Sequence, residues 1–392
     1  MVVASPMPAE QKNDEDFQIL WALPDLPLTE KFGRYSPEHA VGYDQALVIS
    51  RTTGHVQLLH QLPPATLYTE SAYSFRTGES AKSRQGVAFF LDFFRRYTHG
   101  NRFRSIVDVG GNDLYVARAM QSFGDCCTVI DPICAAQDGE IVDGIRIIGR
   151  LMEQVDLRTD MPPPDLVICR HTLEHVSDPE SVVRQWFRQT TRECLFFVEV
   201  PSLECLRESL RFDAIFHQHL HYFDLDSLSH LIWRCGGEVF AHAINRDGSC
   251  GGNLLIAFRK ADSPERPSPV SVQAKIEAML REIAHFDAQM ATIANRLSSL
   301  PKPIFGYGAG LMLATYAYHL KSDLSQLDCI LDDDPFKNGG GYENLPVKIA
   351  LPSLRLPPPG ASYLITSLEN LRPIAKRIFD LVPARILVPN VL

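Results

Sequence analysis

The segment Phe216-His217-Gln218-His219-Leu220-His221-Tyr222-Phe223 sets three histidines at alternate positions. On a strand such residues share one face, where they could jointly hold a metal ion. The triplet contains no carboxylate. A neutral imidazole, with an ordinary pKa near about 6.5, is also suited to taking a proton at neutral pH. A purely structural role for all three is the third reading.

A second constellation lies upstream. Ile106-Val107-Asp108-Val109-Gly110-Gly111-Asn112-Asp113 reads as a strand entering a tight turn and then a helix. Ligands of open α/β sheets sit at the carboxyl ends of strands, and glycine there lets backbone approach them closely. The next strand ends in Asp131-Pro132, where a carboxylate can accept both ribose hydroxyls of a nucleoside. The turn lacks the third glycine of G-x-G-x-x-G and offers Asp108 and Asp113 where a pyrophosphate would sit. A cationic, phosphate-free ligand suits it better, and S-adenosylmethionine, with its sulfonium and amino groups, is one. A purely structural βα turn is the alternative.

Further polar groups fall at the same rim. Asp165-Leu166-Val167-Ile168-Cys169-Arg170-His171-Thr172-Leu173-Glu174-His175-Val176 is a strand ending in a polar cluster, preceded by Gly149-Arg150-Leu151-Met152 where a loop would cover the adenine. Cofactor contacts are expected from Asp108, Gly110, Gly111, Asn112, Asp131, Pro132, Met152, His171 and Glu174. A separate run, Gly306-Tyr307-Gly308-Ala309-Gly310, opens a later helix, where amides and the helix dipole can hold a phosphate. A structural Rossmann turn is the other reading of it, and Asp332 to Asp334 would repel a phosphate, although one of them could hold a ribose.

The elements needed to position these groups are legible. Strands are expected at 105–109, 127–130, 165–169 and 194–198, with helices at 114–123 and 179–192, and 254–258 reads as a late strand of the same sheet. This alternation implies a parallel sheet with helices on both faces. Residues 81–97 form a helix carrying Phe89, Phe90, Phe93 and Phe94 on one side. After the proline-rich linker 261–270, Val272, Ile276, Leu280, Ile283, Phe286, Met290, Ile293 and Leu297 keep a helical spacing. A second alternation follows, with strands at 304–307, 329–331, 362–366 and 385–388 and a helix at 311–320. Residues 16–80 read as a small β-rich domain with short runs at 46–50 and 55–59. The fold class is therefore α/β: a small N-terminal domain (1–80), a class I methyltransferase, Rossmann-like domain (81–260) and a C-terminal Rossmann-like substrate-binding domain (261–392).

Composition narrows the partners. The 392 residues carry a net charge of -9 and no basic block, so a nucleic acid is not expected. No apolar run reaches about 18 residues, so no membrane span is expected. The N-terminus has no basic region followed by an apolar run, and the nine cysteines contain no C-x-x-C. A cytoplasmic protein acting on a small molecule is the expectation.

Taken together, these motifs resemble the sugar C-methyltransferase family of deoxysugar biosynthesis, which methylates C3 of nucleotide-linked 4-keto sugars. The similarity runs from about residue 20 to 350 and rests on three parts: Leu47-Val48-Ile49-Ser50 through Thr53-Gly54-His55-Val56-Gln57-Leu58 with Ala72-Tyr73-Ser74-Phe75; Gly110-Gly111-Asn112-Asp113, Arg170-His171-Thr172-Leu173-Glu174-His175 and Glu199-Val200-Pro201; and Gly306-Tyr307-Gly308-Ala309-Gly310 with Leu331-Asp332-Asp333-Asp334-Pro335-Phe336-Lys337. The resemblance implies a keto sugar bound between the middle and C-terminal domains, with His219 as base, Tyr222, Tyr73 and His175 as further catalytic candidates, and Pro201, Tyr307, Gly308, Ala309 and Gly310 against the substrate. Two departures stand out. The family's N-terminal domain holds zinc on cysteine thiolates, and here Ser50 and Thr53 stand at a cysteine pair's spacing, so no zinc is expected and packing alone should hold that domain. Phe216 and Gln218 replace the family's Tyr and Glu, which removes a hydroxyl and a carboxylate and leaves Gln218 to orient the imidazole. Methylation of oxygen or nitrogen on a sugar or natural product, and an NAD-dependent oxidoreductase using the C-terminal glycine run, are the competing readings.

Overall fold

Short apolar runs near the N-terminus form three antiparallel strands in a computed structural model that describes residues 16–67, 81–268 and 271–389. They are β1 (Phe17–Leu26), β2 (Tyr43–Ser50) and β3 (Val56–Leu58). β1 buries Leu20, Leu23 and Leu26, and its pairing with β2 shifts register between Ile19 and Trp21 and between Leu23 and Leu26. The turn after β2 is not held by packing alone. Ser50 Oγ donates to the Asp16 carboxylate at 2.8 Å and accepts the amide of Thr53 at 3.0 Å, while Thr52 Oγ1 donates to Asp16 at 2.5 Å. A hydroxyl and carboxylate network closes the turn.

After α1 (Pro64–Leu67) and α2 (Ala81–Thr98) comes the middle sheet. Its elements are β4 (Phe103–Val109), α3 (Tyr115–Met120), β5 (Gly124–Ile130), β6 (Ile141–Val142), β7 (Ile145–Ile148), β8 (Leu166–Arg170), α4 (Pro179–Gln189), β9 (Leu195–Pro201), α5 (Leu203–Glu208), β10 (His221–Tyr222), α6 (Leu225–Arg234), β11 (Gly237–Asn245) and β12 (Asn253–Lys260). The sheet order is β11-β12-β9-β8-β4-β5-β7-β6. The five strands from β7 to β9 are parallel, and β12 runs antiparallel to both β9 and β11. The late strand at 254–258 thus belongs to this sheet but reverses its direction. Apolar cores cover both faces: Phe90, Phe94, Ile106 and Phe197 on one, Val107, Val167, Trp186 and Phe196 on the other. This double burial explains the near-continuous apolar strand sequences. Phe89, expected beside Phe90, is 37% exposed.

β10 leaves this unit and pairs with β3, setting His221 opposite Gln57 and Tyr222 opposite Val56. The histidine segment is therefore clamped between the N-terminal sheet and the middle domain.

α7 (Val272–Ser298) spans about 40 Å at 1.5 Å per residue. Met279 is buried on it and Leu280 is 41% exposed, so the stripe turns one position from the spacing expected. Then come β13 (Ile304–Tyr307), α8 (Leu313–His319), β14 (Cys329–Leu331), β15 (Ile349–Ala350), β16 (Ser362–Ile365), α9 (Leu371–Phe379) and β17 (Arg385–Leu387). The all-parallel order is β15-β14-β13-β16-β17. One core joins Leu23 and Leu47 of the N-terminal sheet to Phe286 of α7 and to Leu313 and Ile330 of the C-terminal unit. The N-terminal sheet is packed into its neighbours rather than standing alone. No helix among the described residues is long and apolar enough to cross a membrane.

Candidate active site

In the middle sheet the strand order reverses beside β4, and the C-terminal sheet reverses beside β13. Crevices at such switch points are where open α/β sheets take ligands. Both open into one cavity of about 660 Å³, lined by the 110–112 turn, the 170–175 and 216–219 segments, and the 307–313 turn.

The first turn is built tightly. Gly110 has a positive φ of 77°, and a Cβ there would lie 1.8 Å from Thr172 Oγ1. A Cβ on Gly111 would meet Val129 at 2.7 Å. Asp108, beneath the turn, is buried, and its Oδ2 has no hydrogen-bond partner among the described residues. Burial pushes its pKa up to about 7, against the opposing pull of Arg170. Asp131 accepts the amides of Asn112 at 2.8 Å and Ile133 at 2.9 Å. Asp131, Pro132 and Met152 stand behind the turn and outside the cavity lining, with Pro132 exposed and Met152 buried. An enclosed carboxyl beneath the glycine turn, with no lysine or arginine in the turn, fits a cationic, phosphate-free group.

At the end of β8, Arg170 Nε donates to Glu199 Oε2 at 2.5 Å, and its guanidinium lies 5.0 Å from the Phe90 ring centre. Burial would raise the Glu199 pKa, but Arg170 and then His171 hold it down at about 2. Burial works against a charged His171, yet Glu174 and Glu199 bring its pKa up to about 9. His171 therefore carries positive charge at neutral pH. Neither oxygen of the fully enclosed Glu174 receives a hydrogen bond among the described residues.

The 173–175 and 216–220 segments are tied together. Leu220 N donates to Glu174 O at 2.8 Å, and the His175 Nδ1 bonds Gln218 O at 2.8 Å. His219 stacks against Phe216 at 4.1 Å and meets His175 edge to face at 4.8 Å. Burial, with His175 and His171 adding to it, drives the His219 pKa well below its ordinary value, so its ring is neutral at neutral pH. The three alternate histidines do not converge. His217 Nε2 bonds Leu26 O at 2.9 Å and His221 Nδ1 bonds His55 Nε2 at 2.9 Å, each turned toward the N-terminal sheet. Gln218 does not orient the His219 ring with its side chain. Its Oε1 accepts from Thr29 Oγ1 at 3.1 Å. The Tyr222 hydroxyl accepts the Phe216 amide at 3.2 Å, lies outside the cavity lining, and is pushed to higher pKa by burial. Tyr73 lies outside the described residues. Pro201 is buried at the end of β9, outside the lining.

Tyr307, Gly308, Ala309 and Gly310 all line the cavity. Their amides are not open to a phosphate, contrary to what the glycine run suggests. Gly308 N donates to Leu331 O at 2.8 Å, Ala309 N to Asp332 Oδ2 at 2.7 Å, and Gly310 N to Gly308 O at 3.0 Å. Asp332 occupies the position where a phosphate would dock. Tyr307 donates to Asp333 at 3.1 Å. Lys337 Nζ donates to Ala309 O at 3.0 Å and brings positive charge to the turn.

Several lining residues escaped sequence reasoning. Glu30, next to Thr29, reaches the cavity from the N-terminal segment, and burial pushes its pKa up to about 7. Its φ of 62° is a left-handed conformation with no sequence signature. Arg211, bonded to Asp213 at 2.8 Å and paired with Glu369 at 3.1 Å, lies on a loop without periodicity.

Residues 80–242 match the family model of a methyltransferase domain. The C-methyltransferase NovU of Streptomyces niveus is 31% identical over 157 residues, which cover 37% of each chain. A ubiquinone biosynthesis O-methyltransferase of Pseudomonas fluorescens is 34% identical over 90 residues, covering 22% of this chain and 39% of that one. The matched stretches thus span 37% and 39% of these relatives' lengths. Among solved structures, the N-methyltransferase NodS of Bradyrhizobium japonicum aligns at 11% identity and a TM-score of 0.37, covering 50% of this chain and 94% of that one. With the strand order described above, the match gives the middle of the chain a Rossmann-like methyltransferase domain.

Proposed function

We propose that the whole chain is an S-adenosylmethionine-dependent enzyme that methylates carbon beside the ketone of a nucleotide-linked keto sugar. The observation that carries this reading is the single cavity joining the 110–112 turn, the His219 cluster and the 307–313 turn. Asp108, the close-packed Gly110–Gly111 turn and Asp131 would hold the cofactor. When bound, it supplies a sulfonium-borne methyl group to a nucleophile.

The chain's own residues do the rest. His219, neutral and buried, takes the proton from the carbon beside the carbonyl, leaving an enolate. Glu174, with a carboxylate oxygen within 4.8 Å of a His219 ring nitrogen, would be the carboxylate near the imidazolium that forms. His175, fixed through Gln218 O, holds the ring by edge-to-face contact. Thr29 fastens the Gln218 side chain. Enclosure between the two sheets aligns acceptor and donor and excludes water.

The committed amides of the 308–310 run favour a second reading, in which the same base acts on an acceptor without a diphosphate. One experiment separates the two. The protein is incubated with methyl-labelled S-adenosylmethionine and a panel of nucleotide-linked and free keto sugars, and products are followed by mass spectrometry. Label that survives glycosidic and ether cleavage supports carbon methylation. Label lost on ether cleavage means oxygen methylation, and label confined to free sugars removes the nucleotide.

A further inference from the structure

Glu174 lies in the cavity wall with its side chain wholly enclosed and no hydrogen bond to either oxygen among the described residues. The charged His171 beside it offsets part of its charge, yet its oxygens remain without a hydrogen bond, which leaves acceptor capacity for a further cation. The basic atoms around it are ring nitrogens, His171 Nδ1 at 3.6 Å and His175 Nε2 at 3.9 Å. The two rings are held differently. His171 sits between Glu174 and Glu199, whose Oε1 is 3.7 Å from its Nε2. His175 has its Nδ1 on the carbonyl of Gln218 at 2.8 Å, which fixes the proton there and presents the Nε2 lone pair toward Glu174. A backbone carbonyl on one imidazole nitrogen is the usual support for a metal on the other. His219 adds a third donor: one ligand atom from each of Glu174, His175 and His219 lies within 4.8 Å of the others. Donors around a common tetrahedral ion stand about 3.5 Å apart, so modest side-chain rotations close the set.

We propose that Glu174, His175 and His219 form a divalent-cation site on the cavity wall, and that the ion stops proton transfer by taking the lone pair of His219. Two imidazoles and one carboxylate select late first-row ions such as Zn²⁺ and Co²⁺ over Mg²⁺ or Ca²⁺. Three protein ligands leave coordination open toward the cavity. Only the inhibitory consequence rests on the reading of His219 as base.

The full chain, stripped of metal by a chelator, is titrated with Co²⁺ at neutral pH. A visible absorption band should saturate at one ion per chain and be displaced by Zn²⁺. Turnover should fall in proportion to occupancy and return on chelation. Glu174→Gln and His175→Asn should each lose the band while circular dichroism stays unchanged, whereas His285→Ala, on the exposed face of α7, should keep it. No band in the natural protein, or an equal band in folded Glu174→Gln and His175→Asn, overturns the site and leaves the methyl-transfer reading standing. An ion that binds there and raises turnover keeps the site, but overturns both the inhibition and the assignment of His219 as base.

Discussion

The carboxylate of Asp131 accepts the amide of Asn112 at 2.8 Å, so the residue expected to bind ribose also fastens the glycine turn to the neighbouring strand. Its other oxygen holds Ile133 N at 2.9 Å. Asp131→Ala therefore removes the proposed ribose contact and frees two amides. Calorimetry with S-adenosylhomocysteine should show binding weakened by roughly 1–3 kcal/mol, the range for charge-assisted hydrogen bonds. Asp131→Asn keeps one acceptor and should lose less. Unchanged affinity in Asp131→Ala would take the residue out of the site.

His219 carries the chemistry proposed, and its neighbours in the histidine triplet do not. His219→Ala should lower turnover by roughly two to four orders of magnitude, the usual worth of a general base. Cofactor affinity should barely move. The variant should also fail to exchange the proton beside the ketone with deuterated water in the presence of the demethylated cofactor. His217→Ala and His221→Ala face the N-terminal sheet and should lower stability more than turnover at full folding. Near-normal turnover in folded His219→Ala would sink the assignment.

Asp108 gives the proposed cofactor site a pH dependence. Its pKa is raised from 3.8 to about 7, so between those values the folded ligand-free protein holds a proton that the unfolded chain has lost. Stability from this group is therefore present at low pH and falls as pH rises through about 7. Asp108→Asn should flatten that part of the stability curve and raise the melting temperature at pH ~8. A bound cation favours the ionised carboxylate, so S-adenosylmethionine should displace a proton near pH ~7. Calorimetry in buffers of different ionisation enthalpy reads this directly. Buffer-independent heats, with Asp108→Asn binding as tightly, would remove Asp108 from contact with the sulfonium and amino end.

The sequence disclosed whatever depends on period. Ile106–Val109 and Leu166–Cys169 read as buried parallel strands because apolar cores cover both faces of the sheet, and the long spacing from Val272 to Leu297 read as one helix. β11 was not legible, since only half-buried residues mark Val239 to Phe240 at the sheet's edge. Pairing was invisible too. Nothing in His221-Tyr222 says that it will join Val56–Gln57, yet that pairing turns His221 away from His219. Glu30 and Arg211 reach the cavity from aperiodic loops, where tertiary packing alone decides direction. The glycine run at 308–310 misled for a related reason. Its composition suits a phosphate, but the partner of Ala309 N is Asp332, 23 residues away in sequence.

The deepest ion pair near the cavity yields the last prediction. Arg170 and Glu199 are 7% and 0% exposed at their side chains and bonded at 2.5 Å. Asn253 Nδ2 adds a bond to Glu199 Oε1 at 2.8 Å. Glu199→Gln retains the shape but leaves an enclosed guanidinium without its bonded counter-charge. Breaking one side of a buried pair costs roughly 3–5 kcal/mol. The variant should therefore unfold at clearly lower denaturant than the natural protein. The acid limb follows from the depressed pKa. Glu199 stays ionised in the folded state down to about 2, while its unfolded value is 4.5. Its contribution is complete above about pH 4.5 and is lost as pH falls through about 2. Chemical denaturation between pH ~2 and ~6 should show a steeper loss in the natural protein than in Glu199→Gln, the two curves converging at the acid end. Because Glu199 Oε1 also faces His171 Nε2 at 3.7 Å, the variant should weaken cofactor binding, and the Arg170 charge released from Glu199 should lower the Asp108 pKa. Parallel acid limbs for the two proteins would show that the pair adds nothing to folding.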